Sequence, residues 1–297
     1  MQNQIKKALE DINGPFAGMK IKSFDSVSGG CIHQAWKISL EDGRIFFAKT
    51  NASDSFPMFE YESEGLNYLH KFADSKYLII PQVIEKRKYD SFSLLLMPWL
   101  FLTGNDQRLL GKGLAALHKN SAKFSSGSFG WESDGFIGSG NQRSGWREKW
   151  GECFYDLRLL PQLKLAVDWG LNITSIETIR FSLIDFLNNH DPMPSIVHGD
   201  LWSGNSFIQS DGKGVLLDPA VWWADREVDI AMTKLFGGFS EDFYMAYEKE
   251  WPLSKDSKTR VDIYNFYHLL NHANIFGGSY KKECNSFLKK LIHSFAV

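Results

Sequence analysis

The chain is short of cysteine, of net charge and of long apolar runs, and each shortage removes a class of protein. Its three cysteines, Cys31, Cys153 and Cys284, are odd in number and far apart. They suit neither a secreted disulfide framework nor a zinc site, and they point to a reducing cytosol. The 33 basic and 35 acidic residues leave a net charge of −2, which speaks against a nucleic acid or an anionic membrane as partner. Residues 1–10 are polar and lack the apolar core of a secretory leader. The longest apolar stretch, residues 94–102, is too short to span a bilayer and contains Pro98. There is no internal repeat and no low-complexity segment. A cytoplasmic, non-membrane protein is expected.

What is present fits two lobes. With 297 residues, 43% of them hydrophobic, the chain can bury a sizeable core. Residues 21–50 alternate apolar and polar side chains around two turns, Ser28-Gly29-Gly30 and Glu41-Asp42-Gly43-Arg44, the pattern of a three-strand meander. Residues 56–72 have helical spacing, with Phe59, Leu66 and Leu69 on one side, and residues 83–87 and 93–97 read as two more strands. The expectation is a small antiparallel lobe of five strands and one helix, residues 1–98. A larger, mainly helical lobe would fill residues 99–297, and the class is α+β. In that second part residues 109–119 read as a helix, and Trp146, Trp150, Phe154 and Leu157 mark another as a core stripe. Thr174 opens a third with Glu177 as capping-box partner. Residues 124–145, rich in Gly and Ser, read as an ordered surface loop.

The most informative segment is Val197-His198-Gly199-Asp200-Leu201-Trp202-Ser203-Gly204-Asn205, followed by a hairpin that ends in Leu216-Leu217-Asp218. Phosphoryl transfer of the protein-kinase type needs one carboxylate at the acceptor hydroxyl, and an amide with a second carboxylate for Mg²⁺. Asp200, Asn205 and Asp218 supply that set. Strands at 206–209 and 215–218, with a loop centred near Gly212, would place Asn205 and Ser206 opposite Asp218 and Pro219. The alternative is a polar loop before an ordinary hairpin.

The first lobe offers the nucleotide half. Lys49 ends an apolar strand and must direct its ammonium to something polar; Glu62, on the next helix, is its candidate partner. An edge-strand lysine facing solvent is the alternative. Gly29 and Gly30 form a turn able to wrap phosphates with backbone N–H groups. The segment Met97-Pro98-Trp99-Leu100 is a candidate connector whose backbone could read an adenine edge, although Pro98 has no N–H to donate. Singly these signals are weak. In this order they indicate a two-lobed phosphotransferase.

With those motifs in view, the chain resembles the fructosamine (ketosamine) kinase family, within the wider aminoglycoside and choline phosphotransferase group. The similarity runs through Ser28-Gly29-Gly30-Cys31-Ile32, residues 46–49, Phe59-Glu60-Tyr61-Glu62 and the loop from His198 to Asn205. It continues through Asp218-Pro219-Ala220, residues 225–232, Phe236-Gly237-Gly238-Phe239, Asn271-His272 and Phe276-Gly277-Gly278. The resemblance implies ATP-dependent phosphorylation of the 3-hydroxyl of a fructosamine or related ketosamine, linked to protein deglycation. It implies Asp200 at the sugar hydroxyl, Asn205 and Asp218 on Mg²⁺, and Lys49, held by Glu62, against phosphate.

A ketosamine would suit nearby residues on physical grounds. Trp202, Trp222 and Trp223 offer indole faces to a sugar, and Asp225, Glu227 and His272 are polar candidates for the substrate's cationic amine and hydroxyls. Each has a structural alternative: Glu227 and Asp229 could brace the catalytic loop, His198 could anchor its backbone, and Trp222 and Trp223 cannot both face inward. Cys31, beside the glycine turn, is a candidate for oxidation that impairs ATP use, including a redox-linked dimer of an otherwise monomeric protein. Three rivals stand beside this reading: an aminoglycoside-, choline- or homoserine-type kinase, a nucleotide-binding pseudokinase, and a eukaryotic-type protein kinase. The last fits poorly, since no Ala-Pro-Glu segment or activation loop follows Asp218. Whether the acceptor is a free ketosamine or a glycated protein is left open.

Overall fold

The structure, a computed structural model, describes residues 2–28 and 32–295. The chain opens with helix α1 (Gln2–Glu10), strands β1 (Ile21–Val27), β2 (Gln34–Leu40) and β3 (Ile45–Asn51), and helix α2 (Phe56–Phe72). It continues through β4 (Leu78–Ile79), β5 (Glu85–Lys88) and β6 (Ser93–Pro98). Five of these strands form one antiparallel sheet in the order β1-β2-β3-β6-β5.

The sheet is covered on both faces, which explains why β6 is apolar without alternation. Leu94 and Leu96 pack with Ile5, Leu9 and Phe16 on the α1 side, whereas Leu95 and Met97 join the core that includes Phe59, Leu66 and Leu69 of α2. The same alternation aims Lys49. Its neighbour Ala48 belongs to the α1-side core, and Lys49 pairs across the sheet with Leu95. Its side chain therefore projects toward α2.

The larger lobe begins with α3 (Arg108–Ala122). The short strands β7 (Phe129–Trp131), β8 (Gly135–Ile137), β9 (Gly140–Gln142) and β10 (Gly145–Arg147) follow. Then come α4 (Trp150–Phe154), a π-helical turn at Tyr155–Leu159, α5 (Leu160–Val167) and α6 (Thr174–His190). The site region holds β11 (Ser195–Val197), β12 (Ser206–Ile208), β13 (Gly214–Leu216) and β14 (Trp222–Ala224). Four helices close the chain: α7 (Glu227–Leu235), α8 (Glu241–Glu250), α9 (Ser257–Phe276) and α10 (Ser279–Phe295). The core centres on α9, where Tyr264, Phe266 and Tyr267 are buried with Trp150, Phe154 and Trp222. Strand β4 stands outside the first sheet and pairs in parallel with β13, Leu78 opposite Gly214 and Ile79 opposite Val215. That pairing ties the early part of the chain to the hairpin behind the catalytic loop.

Several expectations are corrected. The first lobe carries a second helix, α1, because Ile5 and Leu9, four residues apart, give an otherwise polar segment one buried stripe. Residues 124–145 are not a plain loop: three three-residue strands form there and a fourth begins at Gly145, and Phe129 and Trp131 are buried. The stripe from Trp146 to Leu157 does not lie on a single helix, since Trp146 is in β10 and Leu157 in the π-helical turn. Helix α6 does start at Thr174, but without a capping box: Glu177 accepts from the Tyr155 hydroxyl at 3.0 Å.

Candidate active site

The catalytic loop leaves β11 at His198 and is pinned from below. The buried carboxylate of Asp229, in the first turn of α7, accepts from the backbone N–H of His198 at 2.7 Å and of Gly199 at 2.8 Å. Burial opposes its charge, but His118, 3.0 Å from it, together with His198 and the Gly199 N–H outweighs that and holds the carboxyl below its usual range. Gly199 turns at φ +82°, and a Cβ there would lie 2.1 Å from the Ala220 carbonyl oxygen. Only glycine fits. His198 donates through Nε2 to the Leu217 carbonyl (2.8 Å) and accepts at Nδ1 from the Asp200 N–H (3.3 Å). Both nitrogens are committed, and burial pushes its pKa down, so this ring is an anchor.

This frame delivers the site carboxylates. Asn205 Nδ2 donates to the Asp200 carbonyl at 2.9 Å and to its carboxylate at 3.2 Å. Burial, then repulsion from Asp218, raises the Asp200 carboxyl to about 7 against that hydrogen bond. The hairpin pairing differs by two residues from that of a loop centred on Gly212. Ser206 faces Leu216 rather than Asp218, and the Leu217 N–H donates to the Asn205 carbonyl, so Asn205 lies opposite Leu217 rather than Pro219. The loop closes as Gln209 N–H to Lys213 O, at 2.9 Å, which centres it on Asp211. Asp218 then leaves the ladder at φ +55°.

That turn sets Asp218 against the opposite lobe. Lys49 Nζ hydrogen-bonds Glu62 Oε1 at 2.8 Å and also contacts Asp218 Oδ1. The Lys49 and Glu62 side chains are 6% and 9% exposed, whereas that of Asp218 is 42% exposed. Burial disfavours the ammonium, but the two carboxylates override it and raise the Lys49 pKa. Glu62 shifts upward, because burial and the competing Asp218 outweigh its share of Lys49.

A sequence model of the family described as fructosamine kinase matches residues 1–294. The chain belongs to the fructosamine kinase family. It is 38% identical over 277 residues to a probable ketoamine kinase of Synechocystis sp., covering 92% of this chain and 91% of that one. It is 35% identical to a probable ketoamine kinase of Vibrio cholerae, with 90% and 92% covered. A crystal structure described as a fructosamine-3-kinase from Haemophilus somnus superposes with a TM-score of 0.84 at 28% identity, over 97% of each chain. The fold is that of the wider phosphotransferases. An aminoglycoside phosphotransferase in ternary complex with AMP-PNP and hygromycin B matches at TM-score 0.64 and 15% identity, over 96% of this chain and 98% of that one.

Within this fructosamine kinase fold the remaining expected site residues separate. Asp225 and Glu227 do not line the cleft; each is 1% exposed. Asp225 accepts from Tyr264 at 2.7 Å, and Glu227 takes both Nε and an Nη of Arg260 at 2.8 and 3.0 Å. With their lone pairs spent inside the protein, they are corrected from substrate contacts to parts of the core. Trp222 is also core, with Arg158 stacked 3.9 Å over its ring, while Trp223 packs on Phe72. Trp202 is half-buried and folds back on Gly204, where a Cβ would meet the indole at 2.3 Å. His272 sits among Phe236, Phe276 and Tyr280 and donates from Nδ1 to the His268 carbonyl at 2.8 Å. Two residues after Phe236, Gly238 abuts Ser203 of the catalytic loop.

In the connector, Met97 is buried and Trp99 lies against Phe47. The Trp99 N–H is not free, because it continues the sheet ladder to the Ile45 carbonyl at 3.2 Å. Leu100, half-buried, follows it. Gly29, Gly30 and Cys31 lie outside the described residues. Sequence reading missed His33, whose ring packs on Phe59 and hydrogen-bonds Asn51 at 2.9 Å. Burial, then the nearby Lys49 charge, lowers it to about 4. Its one signal was its place just after the glycine turn. Among the described residues no helix is long and apolar enough to cross a membrane.

Proposed function

We propose that the protein transfers the γ-phosphoryl group of ATP to the 3-hydroxyl of a fructosamine or related ketosamine, a reaction that feeds deglycation. The observation that carries this reading is the bridge from Lys49 to both Glu62 and Asp218, with Asp200 and Asn205 in the adjoining loop. Family membership supports the acceptor class.

Asp200 is suited to accept the hydroxyl proton. A carboxyl raised to about 7 is a far better proton acceptor than an ordinary one, yet is still ionised in half or more of the molecules near neutrality. Its Oδ2 is steered by Asn205, so the base has a fixed direction. Lys49 supplies a permanent charge toward the nucleotide phosphates, and Glu62 holds that ammonium in place. Asn205 and Asp218 fit Mg²⁺: Asn205 spends Nδ2 on Asp200, which leaves its amide oxygen, and Asp218 adds a half-exposed carboxylate. When bound, the ion would offset phosphate charge. The working form is a monomer in the cytoplasm.

The test is an ATP-consumption screen over ketosamines, aminoglycosides and amino alcohols, with the phosphorylated position read by NMR. Turnover on a ketosamine, with phosphorus on the 3-oxygen, supports the reading. Turnover confined to an aminoglycoside or choline-like alcohol sinks the acceptor assignment, and nucleotide binding without turnover of any acceptor sinks the reaction.

A further inference from the structure

Helix α2 carries two buried polar side chains in succession, and they point to different lobes. Glu62 reaches Lys49, whereas Tyr61 reaches into the larger lobe. The Tyr61 hydroxyl donates to the Val221 carbonyl at 2.7 Å, three residues beyond Asp218. The same oxygen accepts from Gln142 Nε2 at 2.8 Å. Gln142, buried at the end of β9, also donates to the Ala220 carbonyl at 3.4 Å, and its Oε1 accepts from the Tyr267 hydroxyl of α9 at 3.4 Å. The phenol is thus held in one direction from both sides.

Packing repeats the contact one turn along the helix. A Cβ on Gly65 would stand 3.1 Å from the side chains of Pro219 and Val221. One on Gly135 would stand 2.2 Å from the Tyr61 ring. Glycine at both places lets α2 and β8 close on residues 219–221. That segment is itself fixed, because the Ala220 N–H donates to the His198 carbonyl at 2.8 Å. Helix α2 is therefore keyed to the stretch that follows Asp218, as well as to its own sheet.

The consequence falls on Lys49, whose ammonium is shared between Glu62 and Asp218. If α2 drifted from residues 219–221, Glu62 would move with it and Lys49 would be left to Asp218 alone. The lysine would lose its aim, and the half-exposed carboxylate would be held by the ammonium.

We propose that Tyr61 is a positioning residue for phosphoryl transfer. Through Val221 and Gln142 its hydroxyl seats α2, so that Glu62 keeps its share of Lys49 and Asp218 stays available to a metal-bound nucleotide. This rests on the assignment of Lys49 and Asp218 to the nucleotide above. Tyr61 acts through Glu62 and touches neither substrate.

The test is calorimetric titration of the full chain with AMP-PNP and Mg²⁺, which reads binding without turnover. Tyr61→Phe keeps the ring against Gly135 and removes only the hydroxyl. It should raise the dissociation constant about five- to tenfold. On a Glu62→Gln background the same change should alter it less than about twofold, because two residues that act as one unit are not additive. A hydroxyl that served stability alone would shift both backgrounds equally. Equal factors, or no change on the wild-type background, would overturn the role of Tyr61 alone. Should Tyr61→Phe not fold, Gly65→Ala decides by the same cycle. It favours the helix by propensity but presses on Pro219 and Val221, and it should weaken binding about two- to threefold on the wild-type background only. Wild-type protein that binds no nucleotide would overturn the assignment of Lys49 to phosphate, and this inference with it.

Discussion

Two of the buried charge clusters among the described residues differ in kind: in one every acid is paired inside the protein, and in the other an acid stays open to solvent. In the cluster of His190, Asp225, Glu227 and Arg260 every carboxylate has fixed partners, and both acids are 1% exposed. In the cluster of Lys49, Glu62, Asp218 and Asp200, two carboxylates share one ammonium while the third, Asp200, is repelled by Asp218, and Asp218 remains 42% exposed. The first resembles a metal centre on a map, since donor atoms of His190, Asp225 and Glu227 lie within 4.8 Å of one another. Arg260 already fills that role, and its charge repels a cation. Complete satisfaction marks scaffold here; an imbalance of charge, open on one side, marks the place where a ligand completes the set.

The sharpest way to break that comparison is Asp200→Asn. It should lower kcat by about 10³-fold while leaving nucleotide binding largely intact. It should also raise Tm by about 2 °C at pH 8, because a carboxylate whose folded pKa is raised costs stability as pH climbs past its unfolded value. Retained turnover would remove Asp200 as the base. In the scaffold cluster, Arg260→Met should cost about 3–5 kcal/mol of stability by leaving Glu227 buried and unpaired. Denaturant titration reads the loss, and kcat per folded molecule should hold; a large fall in that kcat would blur the distinction between the clusters.

Lys49→Met should reduce kcat/KM by about a hundredfold, with Tm altered less than in the Arg260 variant because Asp218 stays open to water. A larger Tm loss than that of the Arg260 variant would place Lys49 in the scaffold. The mildest perturbation is pH. With the Asp200 carboxyl at about 7, log kcat/KM should climb with unit slope on the acid side and level off above that value. A flat profile from pH 5 to pH 8 would show that its ionised form is not required.

Much of the site could be read along the chain because its chemistry is local. The loop from His198 to Asn205 must hold its carboxylate, amide and glycine turn at fixed spacing, whatever surrounds them. Lys49 was legible for a related reason, since strand alternation aims it at the helix carrying Glu62. Asp225 and Glu227 were misread because residue type reveals a charge but not how many partners it will find. Their partners Tyr264 and Arg260 sit on α9, a distant helix with no motif of its own. The hairpin pairing was missed by two residues, since the turn centres on Asp211 rather than Gly212 and only the Gln209–Lys213 closure fixes that centre.

By itself, then, the sequence determined the two-lobed α+β class and the family, and it nominated the acid, the amide and the lysine. Those follow from short-range patterns: strand period, helix stripe and motif spacing. Tertiary structure decided which acids are spent on the scaffold, that Asp218 meets Lys49 from the other lobe, and that the Tyr61 hydroxyl reaches Val221. These outcomes depend on desolvation and on partners far apart in sequence, and both exist only once the chain has closed around them.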